Sequence, residues 1–276
     1  SMAEADPEPP RKAPRLADLK IDRARIYAVI PARAGSKGVT GKNIKDFCGK
    51  PLMAWQIANG LNSKYISRTF VSTDSEEYRK VALAHGAEAP FLRPKEISHD
   101  TATDFELFDH FLGWMREHEP DLQPSLLVQL RPTAPCLTTE TVDAAIEKFL
   151  KHEGDGFDSL RSVTPADHEP FNMYFLGVDD KERLLPIIPE THHKDDATKR
   201  ILEPQSVARQ ILPRIYWHNA YIDIIRPHTI LEYKNCMGKR CLSFHMGLED
   251  NADIDTPEQW TAAEAKKRAQ LKALGQ

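Results

Sequence analysis

Residues 29–43 read VIPARAGSKGVTGKN, an apolar run that passes directly into a loop with three glycines and three cations. The apolar part belongs to the segment RIYAVIPA, which predicts a first β-strand. A glycine-rich loop after a strand presents backbone N–H groups at the carboxyl end of a sheet, where open α/β folds bind phosphates. The stretch therefore predicts an α/β fold with an anion-binding loop after its first strand.

The glycine spacing of this loop does not match two familiar nucleotide-binding motifs. Gly35 and Gly41 enclose five residues rather than the four of a P-loop, and Asn43 stands where a P-loop has Ser or Thr. With Gly38 between them, the glycines recur every third residue and do not form the dinucleotide fingerprint. By spacing alone, the loop is either a triphosphate cradle or a flexible surface turn with solvated lysines.

The rest of the chain alternates short apolar runs with helical patterns, which indicates a mostly parallel sheet covered by helices. SLLVQLRP, residues 125–132, has no polar face and is expected to be a central strand. The proline-rich stretch at about 165–215 predicts an excursion from the main sheet. Helical patterns that begin or end at capping residues predict helices at 51–62, 75–86, 105–118, 138–154 and 256–274.

The first residues are expected to lie outside the fold. Ser1-Met2 resembles a cleavage scar ahead of an initiator methionine, and the charged, proline-rich segment after it has too few apolar residues to fold alone. Residues 1–24 are therefore predicted to be a disordered N-terminal segment, and residues 25–276 to form one domain that includes the excursion.

Composition and charge argue against several partners. The formal net charge of -4 gives no general attraction to nucleic acid. No apolar run approaches the roughly 20 residues of a membrane span, and no signal-peptide core follows the N-terminus. The four cysteines form no CxxC pair and no Cys/His set at zinc spacing. The sequence therefore predicts a cytoplasmic protein with reduced thiols and neither a nucleic-acid nor a membrane partner.

Beyond its spacing, IPARAGSKGVTGKN resembles the signature of the acylneuraminate cytidylyltransferase family, which makes CMP-activated nine-carbon sugar acids from CTP. Further matches follow in the family's order over roughly residues 26–265. The segment 203–231 is most similar to the bacterial branch that activates legionaminic acid. The matching motifs are VSTD at 71–74, RPKEISHDTA at 93–102, RPTAP at 131–135, ARQILP at 208–213, HNAYIDI at 218–224 and DIDTPEQW at 253–260.

The resemblance implies a Rossmann-like three-layer fold of the nucleotide-diphospho-sugar transferase type, with the excursion acting as a dimerisation arm. It implies transfer of CMP from CTP to the anomeric hydroxyl of a nine-carbon 2-keto sugar acid, legionaminic or sialic in type, with release of pyrophosphate. Mg²⁺ is the implied cofactor, and a homodimer or higher homo-oligomer is the implied assembly. Two alternatives stay open: transfer to a sugar-1-phosphate, and a catalytically silent nucleotide-binding protein.

By similarity to the family, Arg33, Ser36 and Lys37 would hold the triphosphate. Lys42 and Asn43 would lie near the sugar and base of the nucleotide. Asp74, which ends a strand, and Arg93, expected beside the cytosine, complete the predicted nucleotide site. The residues expected to bind the sugar acid are Arg131, Arg209, Gln210, Asn219 and Tyr221.

Arg209 is the first choice for the acceptor carboxylate, because a guanidinium can contact a carboxylate through two hydrogen bonds. The alternative for Arg209 is a salt bridge with Glu203 or another acid of the excursion.

Asp253 and Asp255 are the metal candidates and, with Arg33 and Lys37, the predicted catalytic residues. In a strand, side chains at i and i+2 share one face, so this spacing brings two carboxylates together for a hard cation such as Mg²⁺. The alternative is that Asp255 only caps the helix that begins at Pro257.

Two positions depart from the family's pattern. Arg131 stands where the family commonly has Gln before Pro-Thr, and Ala220 stands where the family has Gly after Asn. Alanine is tolerated at position 220 only if its backbone φ is negative, or if neighbouring atoms move to make room for the added Cβ. Both departures are expected to bear on which sugar acid is accepted.

Overall fold

In a computed structural model of the protein, the apolar run before the glycine-rich loop forms strand β1, Ile26–Pro31, with five of its six residues buried. The structure describes residues 20–166, 168–177, 182–247 and 254–275. These residues divide into two units, each treated separately below. The second comprises residues 162–220 and 245–251 apart from the gaps, and the first comprises the rest. The second unit thus coincides closely with the predicted excursion.

β1 lies inside a six-stranded sheet. It pairs in parallel with β4, Arg68–Ser72, and with β5, Leu126–Leu130. β5 pairs on its other side with the antiparallel β11, Tyr216–Ile225. With β6, Ser159–Pro165, and β12, Cys241–His245, the order is β12-β6-β11-β5-β1-β4. All five residues of β5 are buried, which confirms the predicted central strand.

The helices predicted from the sequence are confirmed. In α3, the capping box of Thr103 and Glu106 fixes the first turn, and Phe108, Leu112 and Met115 bury one stripe against the sheet. A sixth, short helix that the sequence reading missed follows β11. The helices are α1, Leu52–Asn62; α2, Glu76–Ala84; α3, Asp104–His118; α4, Thr139–Lys151; α5, Pro227–Leu231; and α6, Pro257–Ala273. None of the described helices combines the length and apolar character that a bilayer crossing requires.

The arrangement of β4, β1 and β5 determines where a site can form. Because the three strands are parallel, their carboxyl ends meet at one edge of the sheet. The glycine-rich loop leaves β1 at this edge, Thr73 and Asp74 follow β4, and Arg131 follows β5. Residues far apart in the sequence are thereby brought to one place.

Three short hairpins complete the described structure. One lies in the first unit: β2, Asp46–Phe47, pairs with β3, Lys50–Pro51. The second unit contains β7, Tyr174–Leu176, paired with β8, Leu184–Pro186, and β9, Thr191–His193, paired with β10, Asp196–Ile201. Phe171, Ile201 and Leu212 form a small buried cluster in this unit.

The ordered fold begins before residue 25. Residues 1–19 lie outside the described part of the chain, so their predicted disorder stays a prediction. Ile21, in contrast, is only 7% exposed, and its N–H donates to Glu153 Oε1 at 2.5 Å. The segment 20–24 is therefore part of the domain, although its charged sequence gave no sign of a buried residue.

Ala220 adopts a left-handed backbone with φ of 57° inside β11. On the sequence alone, an alanine at this position requires a negative φ. The φ is positive, so Ala220 has a backbone conformation that favours glycine. We expect Ala220→Gly to raise the free energy of unfolding by about 0.5–1 kcal/mol, because relief of about 1–2 kcal/mol of strain exceeds the entropy cost of a glycine. Urea unfolding would measure the change.

Ala208 is the matched control, since it is exposed with φ of -63°. Ala208→Gly should lower stability slightly, because glycine adds only unfolded-state entropy there. Equal losses in the two variants would contradict a strained Ala220.

Candidate active site

A cleft of about 520 Å³ opens at the sheet edge where β1 and β5 end. Eight of the predicted site residues line it, and they come from four separate segments of the chain. The described lining carries five Lys or Arg side chains against three aspartates, so the cleft favours an anionic ligand. The eight are Arg33, Ser36, Lys37, Lys42, Asn43, Arg93, Arg131 and Asp255.

Side chains near the start of the glycine-rich loop hold its backbone in place. Asp74 Oδ1 accepts a hydrogen bond from the Ala34 N–H at 2.8 Å. Asn43 is buried and donates from Nδ2 to the Arg33 carbonyl at 3.0 Å. Asp74 and Asn43 were predicted to contact the nucleotide, and the structure places both on the loop backbone. They fix the position from which Arg33 enters the cleft.

Arg33 and Lys37 converge on a single carboxylate, that of Asp100. Arg33 Nη1 donates to Asp100 Oδ1 at 2.6 Å, and Lys37 Nζ forms an ion pair with Oδ2 of the same residue. Hydrogen bonds from Lys37 and Arg33 lower the pKa of Asp100. Two predicted triphosphate-binding cations thus share one anionic partner.

Arg93 brings a buried cation to the same cleft. It is 7% exposed, its Nε donates to Ser98 Oγ at 3.2 Å, and no carboxylate forms an ion pair with it in the described part of the chain. Burial lowers the pKa of the guanidinium. A buried guanidinium without a carboxylate partner is well suited to a polar, electron-rich ligand group such as a base carbonyl or a phosphate.

Lys42 connects the loop to the segment that precedes α6. It is buried, and its Nζ donates to the Ile254 carbonyl at 2.6 Å and to Asp255 Oδ1 at 3.0 Å. Lys42 thus positions Asp255, and its predicted contact with the nucleotide stays a prediction. Asp255 does not cap α6, because Thr256 is the N-cap and its side chain accepts from the Gln259 N–H. The capping alternative for Asp255 is thus wrong.

Gly38 allows the same segment to approach the loop closely. A Cβ built on Gly38 would lie 2.0 Å from the Asp255 carbonyl oxygen. Backbone meets backbone at this point, so neither side can move away by rotating a side chain. The middle glycine of the loop is therefore required by packing as well as by access to a ligand.

Arg131 is held by acidic residues at the end of β5. Its Nη2 donates to Asp104 Oδ2 at 2.6 Å and lies 3.3 Å from Oδ2 of the buried Asp223. Gln129 donates to the other oxygen of Asp104 at 2.8 Å. This network fixes the guanidinium at the cleft wall, where the family commonly has an uncharged Gln.

The other residues predicted to bind the sugar acid are not among the described residues that line the cleft. Arg209 lies in the second unit, where it is exposed and forms a salt bridge with Glu169 at 2.5 Å. This is the alternative predicted for Arg209, and the acid of the excursion that it pairs with is Glu169. It lines a pocket of about 290 Å³ in that unit. Gln210 is exposed. Asn219 and Tyr221 are each 1% exposed, and the Asn219 amide donates to Thr164 Oγ1 at 2.7 Å.

The donor set suits a divalent cation of the magnesium type. Asp253 lies outside the described residues, whereas the Asp255 carboxylate faces the cleft. Within the described ranges, no three His, Cys, Asp or Glu side chains gather in a metal-binding arrangement. Mg²⁺ commonly binds through one or two carboxylates, several waters and the substrate's phosphates, so the Asp255 side chain fits that requirement.

Sequence reasoning missed Asp100 and Asp104. Both line the cleft, and both pair with cations that were predicted to bind substrate. An acidic side chain is not expected in an anion-binding site, so only basic residues of these segments were predicted to bind substrate. The available signal was that Asp100 lies inside the motif RPKEISHDTA, from which only Arg93 was assigned.

Comparisons with known proteins show which proteins the chain resembles. Residues 27–221 match the family model described as cytidylyltransferase. The chain is 31% identical over 251 residues to a CMP-N,N'-diacetyllegionaminic acid synthase of Legionella pneumophila, covering 91% of this chain and 99% of that protein. It is 38% identical over 174 residues to a pseudaminic acid cytidylyltransferase of Campylobacter jejuni, covering 62% of this chain and 72% of the relative.

A longer relative and solved structures extend the comparison. An N-acylneuraminate cytidylyltransferase of Escherichia coli is 35% identical over 233 residues, which cover 84% of this chain and 50% of that protein. A CMP:2-keto-3-deoxy-manno-octonic acid synthetase, solved with CTP, superposes with a TM-score of 0.61 at 17% identity, covering 90% of this chain and all of that one. This structural likeness supports the predicted Rossmann-like nucleotidyltransferase fold.

Proposed function

Because the chain belongs to the cytidylyltransferase family, we propose that it transfers CMP from CTP to the anomeric hydroxyl of a nine-carbon 2-keto sugar acid. The observation that carries the proposal is the meeting of Arg33, Lys37 and Arg93 at the loop that leaves β1. The relatives named for legionaminic, pseudaminic and N-acylneuraminic acids support the acceptor class. The legionaminic type is our first choice, since that relative matches almost end to end.

The reaction makes one phosphoester bond and breaks one phosphoanhydride bond. The anomeric oxygen attacks the α-phosphate, pyrophosphate leaves with the electron pair of the broken bond, and the hydroxyl proton passes to solvent. Arg33 and Lys37 supply positive charge to the triphosphate, where negative charge grows as pyrophosphate leaves. Arg93 orients the nucleotide. These residues therefore act mainly by positioning and by charge stabilisation.

We propose Mg²⁺ as the cofactor, held by Asp255 and Asp253 together with the phosphates of CTP. Its chemistry would be to offset the negative charge of the triphosphate and of the leaving pyrophosphate. Lys42 holds Asp255 through one carboxylate oxygen at 3.0 Å, which orients the side chain in the cleft.

A substrate panel tests the proposed reaction. Pyrophosphate release would be measured with CTP, UTP and GTP against legionaminic acid, pseudaminic acid, N-acetylneuraminic acid and sugar-1-phosphates, with Mg²⁺ present. We expect turnover with CTP and one of the nine-carbon acids. Equal or better turnover with a sugar-1-phosphate would support the alternative reaction, nucleotidyl transfer to a sugar-1-phosphate. CTP binding without turnover of any acceptor would support a silent nucleotide-binding protein.

Asp100 is expected to compete with the triphosphate, because it occupies both Arg33 and Lys37. Asp100→Asn should therefore lower the Kd for CTP about two- to fivefold, the range supported by an exposed ion pair. Calorimetric titration with CTP in the absence of the acceptor would measure this. Asp121→Asn, an exposed acid outside the cleft lining, is the charge-matched control. Unchanged or weaker CTP binding by Asp100→Asn would contradict the competition.

We propose Arg209 as a contact for the acceptor carboxylate, supported by the family motif ARQILP and by its place beside the small pocket of the second unit. Arg209→Lys should raise KM for the sugar acid about tenfold and leave KM for CTP unchanged, because lysine keeps the charge but loses the planar fork. Steady-state kinetics with each substrate varied would show this. Arg200→Lys, another exposed arginine paired with a glutamate, is the control. Equal effects on both substrates would argue for a purely structural Arg209.

We also propose that the protein forms a homodimer through the second unit. The β7–β8 hairpin exposes Tyr174, Phe175, Leu176 and Leu184, an apolar strip that an isolated protein would present to water. A second copy of the chain is the occupant that the family resemblance suggests. Light scattering of the purified protein at several concentrations, with Phe175→Ser as a comparison, tests this assembly.

A further inference from the structure

A second cavity, of about 510 Å³, lies in the first unit between α1, α4 and α6. None of the described residues that line it belongs to the lining of the cytidylyltransferase cleft. Lys50 and Lys267 both face it, and both ammonium groups lie against the ring of Trp55, at 3.8 and 4.0 Å from its centroid. The cavity therefore brings two cations to a single indole.

Among the described residues, neither lysine side chain has an anionic partner. Lys267 is only 7% exposed, and the ammonium groups of Lys50 and Lys267 form no ion pair or hydrogen bond with any described residue. Burial lowers the pKa of both ammonium groups. The face of an indole compensates a cation only partly, and a buried charge normally has a hydrogen-bonded counter-ion. Lys267 therefore directs an uncompensated donor into the cavity.

A polar acceptor in the same cavity also has no partner within the described part of the chain. Gln270 lies one turn after Lys267 on α6, and its Nε2 donates to the Cys136 carbonyl at 3.2 Å. That bond fixes the amide orientation, since an oxygen facing the carbonyl would be repelled. Gln270 Oε1 is buried and accepts no hydrogen bond from any residue that the structure describes. The cavity thus offers two positive donors and one unused acceptor.

We infer that this cavity binds a hydroxylated phosphate monoester. A phosphate monoester carries a charge of about -1.5 to -2 at neutral pH, which matches the two ammonium groups. A hydroxyl of the same molecule would donate to Gln270 Oε1. The cavity is within the range of about 300–1,000 Å³ that small-molecule sites occupy.

Glu140 is the acidic residue in the described lining, and it limits the kind of ligand. Its carboxylate is exposed and is held at the start of α4 by its own N–H and by Thr138. A ligand with a single compact phosphate can avoid this carboxylate more easily than a triphosphate can. The ligand class is therefore distinct from the nucleotide proposed for the main cleft.

Calorimetric titration with glycerol 3-phosphate tests the inference, using the full chain both as wild type and as Arg33→Ala, in which the main cleft is weakened. We expect saturable binding in both, at least tenfold weaker in Lys267→Met and in Lys50→Met. Lys272→Met is the matched control, an exposed lysine on the same helix, and should bind like the wild type. Should Lys267→Met fail to fold, Lys50→Met answers the same question.

Two further probes separate the contacts. Inorganic phosphate should bind more weakly than glycerol 3-phosphate, and Gln270→Leu should remove that difference without abolishing phosphate binding. No binding by the wild type at millimolar concentration, or equal binding by Lys267→Met, would overturn the inference and leave the lysines as packing partners of Trp55. Binding lost in Arg33→Ala but kept in Lys267→Met would place the ligand in the main cleft instead.

Discussion

Replacing Gly38 with alanine is expected to lower kcat/KM for CTP by about 100-fold, the cost of moving catalytic groups by about 1 Å. The new Cβ would lie 2.0 Å from the Asp255 carbonyl oxygen, so the loop and the segment before α6 must separate. Separation would stretch the bonds of Lys42 to Ile254 and Asp255. Initial rates of pyrophosphate release at varied CTP would measure the loss.

Gly35 provides the matched control for this loss. An added Cβ at Gly35 would meet Arg33 Nη1 at 3.9 Å, an ordinary van der Waals distance to a flexible side chain. Gly35→Ala should therefore retain activity within a few-fold of the wild type. If both alanine variants lost activity equally, general loop flexibility rather than the approach of Asp255 would be the requirement.

Arg33→Ala should reduce kcat for CMP transfer by about 100- to 1,000-fold, the usual effect of removing one preorganised donor from developing charge. KM for CTP should also rise, because Arg33 would contact the triphosphate in the ground state as well. Folding should be nearly unaffected, since among the described residues the side chain pairs only with Asp100, at the cleft surface. Single-turnover kinetics and a melting temperature on the same preparation would separate catalysis from stability.

Lys151→Ala removes one positive charge from an exposed site on α4 and is the control for net charge. Near-normal turnover by Arg33→Ala would contradict a triphosphate role for Arg33. The same large loss in Lys151→Ala would show that overall charge, rather than the position of Arg33, determines the rate.

Local sequence patterns predicted most of the fold. RIYAVIPA predicted a first strand and SLLVQLRP a central one, because their apolar residues are continuous, and each strand is paired on both sides in the sheet. Two parallel strands bring their carboxyl ends together, so the positions of Arg33 and Arg131 at one edge followed from the same patterns. The cationic side of the cleft was thus predictable from periodicity, spacing and the family motifs.

The ion-pair partners of the cleft cations and the backbone strain at Ala220 were not predictable from local patterns. The pairing of Arg33 and Lys37 with Asp100 depends on how segment 97–103 folds over the loop, which no local pattern specifies. The positive φ of Ala220 lies inside β11, and the local sequence, with alanine in place of glycine, argues against it. Lys42 was assigned to the nucleotide by similarity to the family, whereas tertiary structure buries it against Ile254 and Asp255.

The bond from Lys42 to Ile254 joins residues 212 positions apart, and this separation has a consequence for synthesis. During translation, β1, β4 and β5 are complete long before residue 254 has been added. The cationic loop is therefore synthesised long before the Asp255 wall of the cleft, and before α6, whose Trp260 packs against Phe47 just after the loop. Chains that end before residue 255 would keep the cations but lack this wall and this packing, and we expect such products to show no CMP transfer in an assay of pyrophosphate release.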